Sequence, residues 1–285
     1  MTSSLDRGMS PSSLAMAPGV TLAYSKPTSR SLASRLLRKA SRFIKFVRFV
    51  LREGGRYRVS LPHPALVTAL GEKRRRSHIS DHLVTLFYSA IDAAPRLIVE
   101  LGTGPGESTR VFLAAASITD SRLLSVDIAD RSHLDLPFRE RWHFVQADDV
   151  AFGRDGFTRW CQEQALAPRI DLLFIDTSHF YDHTREEIAT WSAHLSERAV
   201  LIFHDTNMGD GFYARFDGSF GFGYENRRGV MRAIEDLVGR SYDERTFFSD
   251  LAGGFLITHN PSCNGLAILK RVPPPAGSDG SFRVS

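Results

Sequence analysis

Chemistry in this chain concentrates in three short segments, each following an apolar run. The first is IVELGTGPGESTR, residues 98–110, where Glu100 interrupts the apolar run and Gly102, Gly104 and Gly106 follow at alternate positions. Glycine is needed where backbone turns sharply and approaches a ligand with no Cβ in the way. The other two are LLFIDTSHFYDHTREEI, which brings Asp176 and His179, and AVLIFHDTN, which brings His204, Asp205 and Asn207. The glycine spacing decides between ligands. A dinucleotide loop reads GxGxxG, with its third glycine packing helix on strand and the pyrophosphate at the helix start. Here the third glycine comes one residue early, and Glu107 at the helix entrance would repel a pyrophosphate. An NAD-dependent oxidoreductase is disfavoured on both counts.

These segments need a scaffold that brings them to one edge. Apolar runs of strand length fall at 97–101, 123–126, 142–145, 170–175 and 200–203. Helical periodicity lies at 80–93, 107–117, 155–166, 180–195 and 228–239. Strands alternating with helices predict a parallel sheet covered on both faces. Strand-like stretches at 245–248 and 265–270 would pair antiparallel at one edge. The expected fold is therefore α/β, Rossmann-like and doubly wound, with a mostly parallel seven-stranded sheet and an antiparallel edge. In open sheets of this type ligands bind beyond the carboxyl ends of the strands.

Charge divides the chain. Residues 1–52 hold ten basic residues and one acid, a net +9, leaving −5 for the remainder of a chain whose total is +4. A nucleic-acid-binding body would carry a basic stripe of its own, and this one does not. Residues 1–29 and 273–285 read as Ser-, Pro- and Gly-rich disordered tails, with the folded domain at 59–272. Between them, 30–58 forms a basic extension: Arg35, Arg38, Lys39, Arg42, Lys45, Arg48 and Arg52 recur at helical steps opposite Leu36, Leu37, Phe43, Ile44, Val47, Val50 and Leu51. Such a helix either packs its apolar side on the domain or on a partner subunit of a homo-oligomer, or lies peripherally on an anionic membrane. Two cysteines make no disulfide framework or zinc spacing, no apolar run reaches 18 residues, and no secretory signal pattern opens the chain. A cytoplasmic protein is expected.

The order strand, Glu100, GxGxG and helix resembles motif I of class I S-adenosylmethionine (SAM)-dependent methyltransferases. The resemblance extends over roughly residues 80–270. It implies that Glu100, Gly102, Thr103, Gly104, Gly106 and Ser108 bind SAM. Asp127, ending the second strand, sits where a carboxylate can accept both ribose hydroxyls. Asp148, or Asp149 beside it, falls where family members contact the adenine edge.

The two later segments resemble small-molecule methyltransferases of the macrocin O-methyltransferase-like and cephalosporin-hydroxylase-like subgroup, whose pattern is IDGDHSYE and then a strand ending in HD. Related O-methyltransferases hold a divalent cation there. By position the resemblance makes Asp176 and Asp205 metal ligands, with His204 or Asn207 as a third and Mg²⁺ as the suitable ion. Ser178 stands where the pattern has its second acid, so His179 becomes the candidate base beside Asp176, an imidazole being able to take a proton near neutral pH. The implied activity is methyl transfer to a small-molecule hydroxyl. The competing readings are hydroxylase-like chemistry in the same fold, or a non-catalytic protein tethered by its N-terminal helix.

Residues 207–229 hold six glycines and six aromatics without helical or strand period. A loop of this length is expected to be functional, here as a lid over the acceptor. Arg227 and Arg228 after it either bind an acidic acceptor or solvate a helix start.

Overall fold

The computed structural model describes residues 32–53, 63–70, 76–208 and 211–272, in two units that divide near residue 60. In the first unit a single helix, α1 (Leu32–Glu53), covers the basic extension. Its Leu37, Phe43, Ile44 and Leu51 are exposed, and so is Phe46 on the basic side. The tails expected at 1–29 and 273–285, and the end of the extension at 54–58, lie outside the described residues.

The second unit begins with two helices, α2 (Pro64–Leu70) and α3 (Leu83–Ala93). The alternation then runs β1 (Leu97–Leu101), α4 (Glu107–Thr119), β2 (Arg122–Asp127), β3 (Trp142–Gln146), α5 (Asp149–Asp155) and α6 (Phe157–Glu163). It continues through β4 (Ile170–Ile175), α7 (Tyr181–Ser192), β5 (Leu195–His204), a hairpin of β6 (Phe212–Ala214) and β7 (Phe220–Phe222), and α8 (Gly229–Val238). Three strands close it: β8 (Phe248–Ala252), β9 (Phe255–Asn260) and β10 (Leu266–Arg271).

The main sheet has the order β3-β2-β1-β4-β5-β10-β9-β8, parallel from β3 to β5 and antiparallel from β10 onward. Strand β1 is buried along its whole length because both faces are covered, which is why it reads as an apolar run broken only by Glu100. Leu97, Val99 and Leu101 face Phe157, Trp191 and Ile234, from α6, α7 and α8. Ile98 faces Leu66, Phe87 and Phe112, from α2, α3 and α4. Each such fully buried side chain contributes about 2 kcal/mol, so both faces have reason to stay dry.

The sheet is eight-stranded, not seven. Between 245 and 260 the single short strand expected is replaced by the β8–β9 hairpin, turned at Gly253 and Gly254, both with positive φ. A tight two-residue turn of this kind needs positive φ at both positions. The helix expected at 155–166 is two short helices hinged at Gly156, and the first begins earlier, at Asp149. The segment expected to be without period contains the β6–β7 hairpin.

Candidate functional site

Strand order reverses between β1 and β4. The chain leaves β1 toward β2 and β3 on one side, then returns to β4 on the other, opening a crevice at the carboxyl ends. The Asp176 N–H donates to Leu101 O at 2.9 Å, so the ends of β1 and β4 are stitched together where the glycine loop begins. Gly102 has φ 86°, and a Cβ there would lie 2.0 Å from the carbonyl oxygen of Asp176. Gly104, at φ 49°, has nothing within 4 Å of where a Cβ would be. The first glycine is required by the packing of two strands; the second is favoured by its left-handed backbone alone, since a side chain there would meet only open space.

Asp127 holds this loop from β2. Its Oδ2 accepts the N–H groups of Thr103 (3.0 Å) and Gly104 (3.1 Å), its Oδ1 accepts the N–H of Ala129 (2.8 Å), and Arg131 stands 3.4 Å away. Glu100 corrects the sequence reading. It is fully buried, and its oxygens accept from Ser108 (2.6 Å), Thr109 (2.8 Å) and Ser125 (2.6 Å). The carboxyl braces α4 and β2 from inside instead of facing a ligand, and burial pushes its pKa up to about 7. The Ser108 hydroxyl is consumed by the same brace, although the residue stands on the cleft wall. Asp148 is exposed and caps α5, accepting the Ala151 N–H at 2.8 Å, while its neighbour Asp149 turns inward.

At the ends of β4 and β5 four side chains meet. His179 Nε2 lies 3.0 Å from Asp205 Oδ2, and its Nδ1 lies 4.0 Å from Asp176 Oδ1. His204 Nδ1 lies 3.1 Å from Asp176 Oδ1 and 3.3 Å from Asp205 Oδ1, while its Nε2 donates to the Cys263 carbonyl at 3.1 Å. Asp205 Oδ1 also accepts from Asn264 Nδ2 at 2.7 Å. His204 is fully buried, yet the two carboxylates hold its pKa well above the usual imidazole value against the burial that would lower it. Asp205 is held well below the usual carboxylate range by His204 and His179, again against burial. The protonated His204 ring is thus the internal counter-charge of the two acids.

One ligand atom from each of Asp176, His179 and Asp205 falls within 4.8 Å of the others, a spacing that suits one cation. His204, expected as third ligand, aims Nδ1 at the same two carboxylates from beneath. Asn207, the other expected third ligand, turns away and donates to Pro261 O at 2.9 Å.

A cleft of about 200 Å³ joins the two halves of the site. Its walls include Gly102, Thr103, Gly104 and Ser108 from the loop and Asp176 and His179 from the β4 end. His78 and Ile79 complete it, and the sequence reading missed them. So did it miss His82, buried and pushed down to about 4 chiefly by burial, with its ring 5.7 Å from that of His204. The polar run HISDH before α3 was the available signal.

The expected lid packs partly on this segment. The Phe216 N–H donates to Asp81 Oδ2 at 2.9 Å, Arg76 pairs with Asp217 at 2.9 Å, and the Tyr224 ring lies 5.8 Å from that of His179. Phe212, Phe220 and Phe222 are exposed. Arg228 is committed to Glu244 (2.7 Å) and Glu235 (3.0 Å), which removes it as an acceptor-binding group; Arg227 is exposed.

Residues 99–206 match a protein-family model described as a methyltransferase domain. The chain is similar to y4gI, an uncharacterised protein of Sinorhizobium fredii, with 33% identity over 124 residues. That match covers 40% of this chain and spans 13% of the relative's length. Among solved structures, a methyltransferase from Geobacter sulfurreducens is similar at 20% identity and a TM-score of 0.44, covering 79% of this chain and 96% of that one. An O-methyltransferase from Bacillus cereus in complex with SAH is similar at 16% identity and a TM-score of 0.43, covering 67% and 80%.

Proposed function

We propose that this protein transfers the SAM methyl group to a hydroxyl of a small molecule, with His179 taking the acceptor's proton; the match of residues 99–206 to a methyltransferase-domain model supports the reading. The observation that carries the reading is the shared cleft. His179 and Asp176 stand on the same wall as the Gly102–Ser108 loop. Asp205 receives Nε2 of His179 at 3.0 Å. With that nitrogen donating, Nδ1 is left as the proton acceptor, and the carboxylate both orients the ring and stabilises the imidazolium.

SAM supplies a methyl group already activated by its sulfonium, so the chain must align the acceptor and exclude water. The fit rests on the loop. Thr103 Oγ1 is buried without a partner, and Gly104 opens onto space that a side chain would fill. The acceptor oxygen bonds to the methyl carbon as the carbon–sulfur bond breaks, and its proton passes to His179. The donor set Asp176, His179 and Asp205 would also suit a divalent cation such as Mg²⁺, which would lower the pKa of an acceptor hydroxyl. A small acceptor agrees with a body of net negative charge, which is unsuited to nucleic acid.

Calorimetry with SAM on wild type and Asp127→Ala, with and without Mg²⁺, tests the cofactor half. Transfer of a labelled methyl to a panel of small hydroxyl acceptors tests the rest. Binding lost in the variant supports the reading; no binding to wild type under any condition overturns it in favour of a non-catalytic role.

Helix α1 adds a location to this activity. No helix among the described residues is long and apolar enough to cross a membrane. The exposed Phe43, Ile44 and Leu51 opposite a basic stripe support peripheral attachment to an anionic lipid surface.

A further inference from the structure

A second group of ligating side chains converges where α5 meets α7, and the proposed reaction uses none of them. Asp149 opens α5, and His183 and Glu187 stand one turn apart on α7. One ligand atom from each lies within 4.8 Å of the others. His183 Nε2 is 3.2 Å from Asp149 Oδ1 and 3.8 Å from Glu187 Oε1. Glu187 is fully buried and Asp149 is 7% exposed. Glu187 Oε1 accepts from Thr177 Oγ1 at 2.7 Å, but Glu187 Oε2 and Asp149 Oδ2 are buried with no partner.

Two buried carboxylates facing each other are unfavourable unless positive charge or a proton lies between them. Among the described residues His183 is the only cation paired with either. Burial, with Asp149 beside it, pushes the Glu187 carboxyl well above the usual range. Two unpartnered oxygens, one imidazole nitrogen and an i, i+4 spacing that puts two donors on one helical face are also what a metal ion requires.

We propose that Asp149, His183 and Glu187 form a second divalent-cation site, suited to a zinc-class transition ion. A divalent ion between them neutralises both carboxylates and meets their unpartnered oxygens. One imidazole with two carboxylates suits Zn²⁺ better than Ca²⁺, which prefers six or more oxygens. His183, with 27% of its side chain exposed, gives the entry path. The ion pins α5 to α7, and the Thr177 hydroxyl carries that constraint to the residue beside Asp176. The role is structural support of the β4 turn.

The test separates this site from the Asp176–Asp205 cluster and does not depend on SAM. The chelator-treated full-length chain is loaded with Zn²⁺ and desalted, and bound metal is measured in an Asp205→Asn background. The expected result is about one retained equivalent. In the same background His183→Ala and Glu187→Gln should weaken retention by roughly tenfold or more. Glu187→Gln keeps the volume and can still donate to Asp149, so its melting temperature in chelator should match that of Glu187 protein. Failure of Asp205→Asn protein to retain Zn²⁺, or equal retention with Gln at 187, overturns the proposal.

Discussion

His179 and Asp205 meet at 3.0 Å, and both hold left-handed backbone, with φ of 62° and 57°. For residues other than glycine that conformation costs about 1–2 kcal/mol each. The cost is offset by fixed partners around Asp205: Asn264 holds its carboxylate, and the Asn226 side chain donates to its carbonyl at 2.9 Å. Strain maintained by surrounding structure at two contacting residues marks a place where geometry matters. Removing the base while keeping the fold should therefore be severe. His179→Ala is expected to lower kcat by about 10²–10⁴-fold, as for loss of a general base. Asp205→Asn should give a smaller loss of kcat with KM for SAM little changed. Steady-state kinetics with any accepted hydroxyl compound separates the two.

The first two glycines of the loop should fail differently. Gly102→Ala drives a Cβ into the backbone of Asp176, where neither strand can yield. A loss of about 3 kcal/mol is expected from overpacking and positive φ together. Gly104→Ala meets nothing, so its stability cost is only about 1 kcal/mol, while its methyl enters the cleft and weakens SAM binding. Thermal melts rank the first substitution as worse; calorimetry ranks the second as the specific binding defect.

Glu100 gives the fold a pH dependence. Its pKa is about 7 when folded, against an ordinary value of 4.5. Between those values the folded state keeps a proton that the unfolded chain releases. Stability from this residue is thus full below pH 4.5 and declines as pH rises through 7, by at most about 1.4 kcal/mol per pH unit. Denaturant melts of wild type from pH 5 to 7.5 should show that slope, and Glu100→Gln should flatten it. An unchanged slope in the variant would assign it elsewhere.

The β6–β7 hairpin is tied to the segment before α3 through Asp81 and Arg76. Asp81→Ala should raise the rate of proteolytic nicking between residues 211 and 224 while shifting Tm little, because it loosens one local unit. If the hairpin covers the acceptor, KM for the acceptor rises more than kcat falls.

The basic stripe of α1 should direct lipid binding. Replacing Arg42, Lys45 and Arg48 together by Glu is expected to abolish co-sedimentation with anionic vesicles while leaving SAM affinity unchanged. Wild-type binding should weaken steeply with added salt and be absent on neutral vesicles. Equal binding of both proteins to anionic vesicles would show that the basic stripe does not carry the attachment.

Much of this molecule was legible along the chain because its signals are local. Buried parallel strands announce themselves as continuous apolar runs, the GxGxG turn is written in consecutive residues, and Asp127, Asp176, His179, His204 and Asp205 all close such runs. The β8–β9 hairpin was missed because Gly253 and Gly254 resemble a loop until the strands on either side are seen to pair. What only the tertiary structure decided was direction and partnership. Type and position gave Glu100 to a ligand, yet a strand side chain can point to either face, and burial against three hydroxyls made it a brace. Asn207 turned to Pro261, and Arg228 was claimed by Glu235 and Glu244. Asp149, more than thirty residues before His183 and Glu187, became their neighbour only when α5 packed on α7. Sequence specifies which groups stand at the strand ends; packing fixes which oxygen or nitrogen each one meets, because that depends on side-chain angles set by contacts distant in the chain.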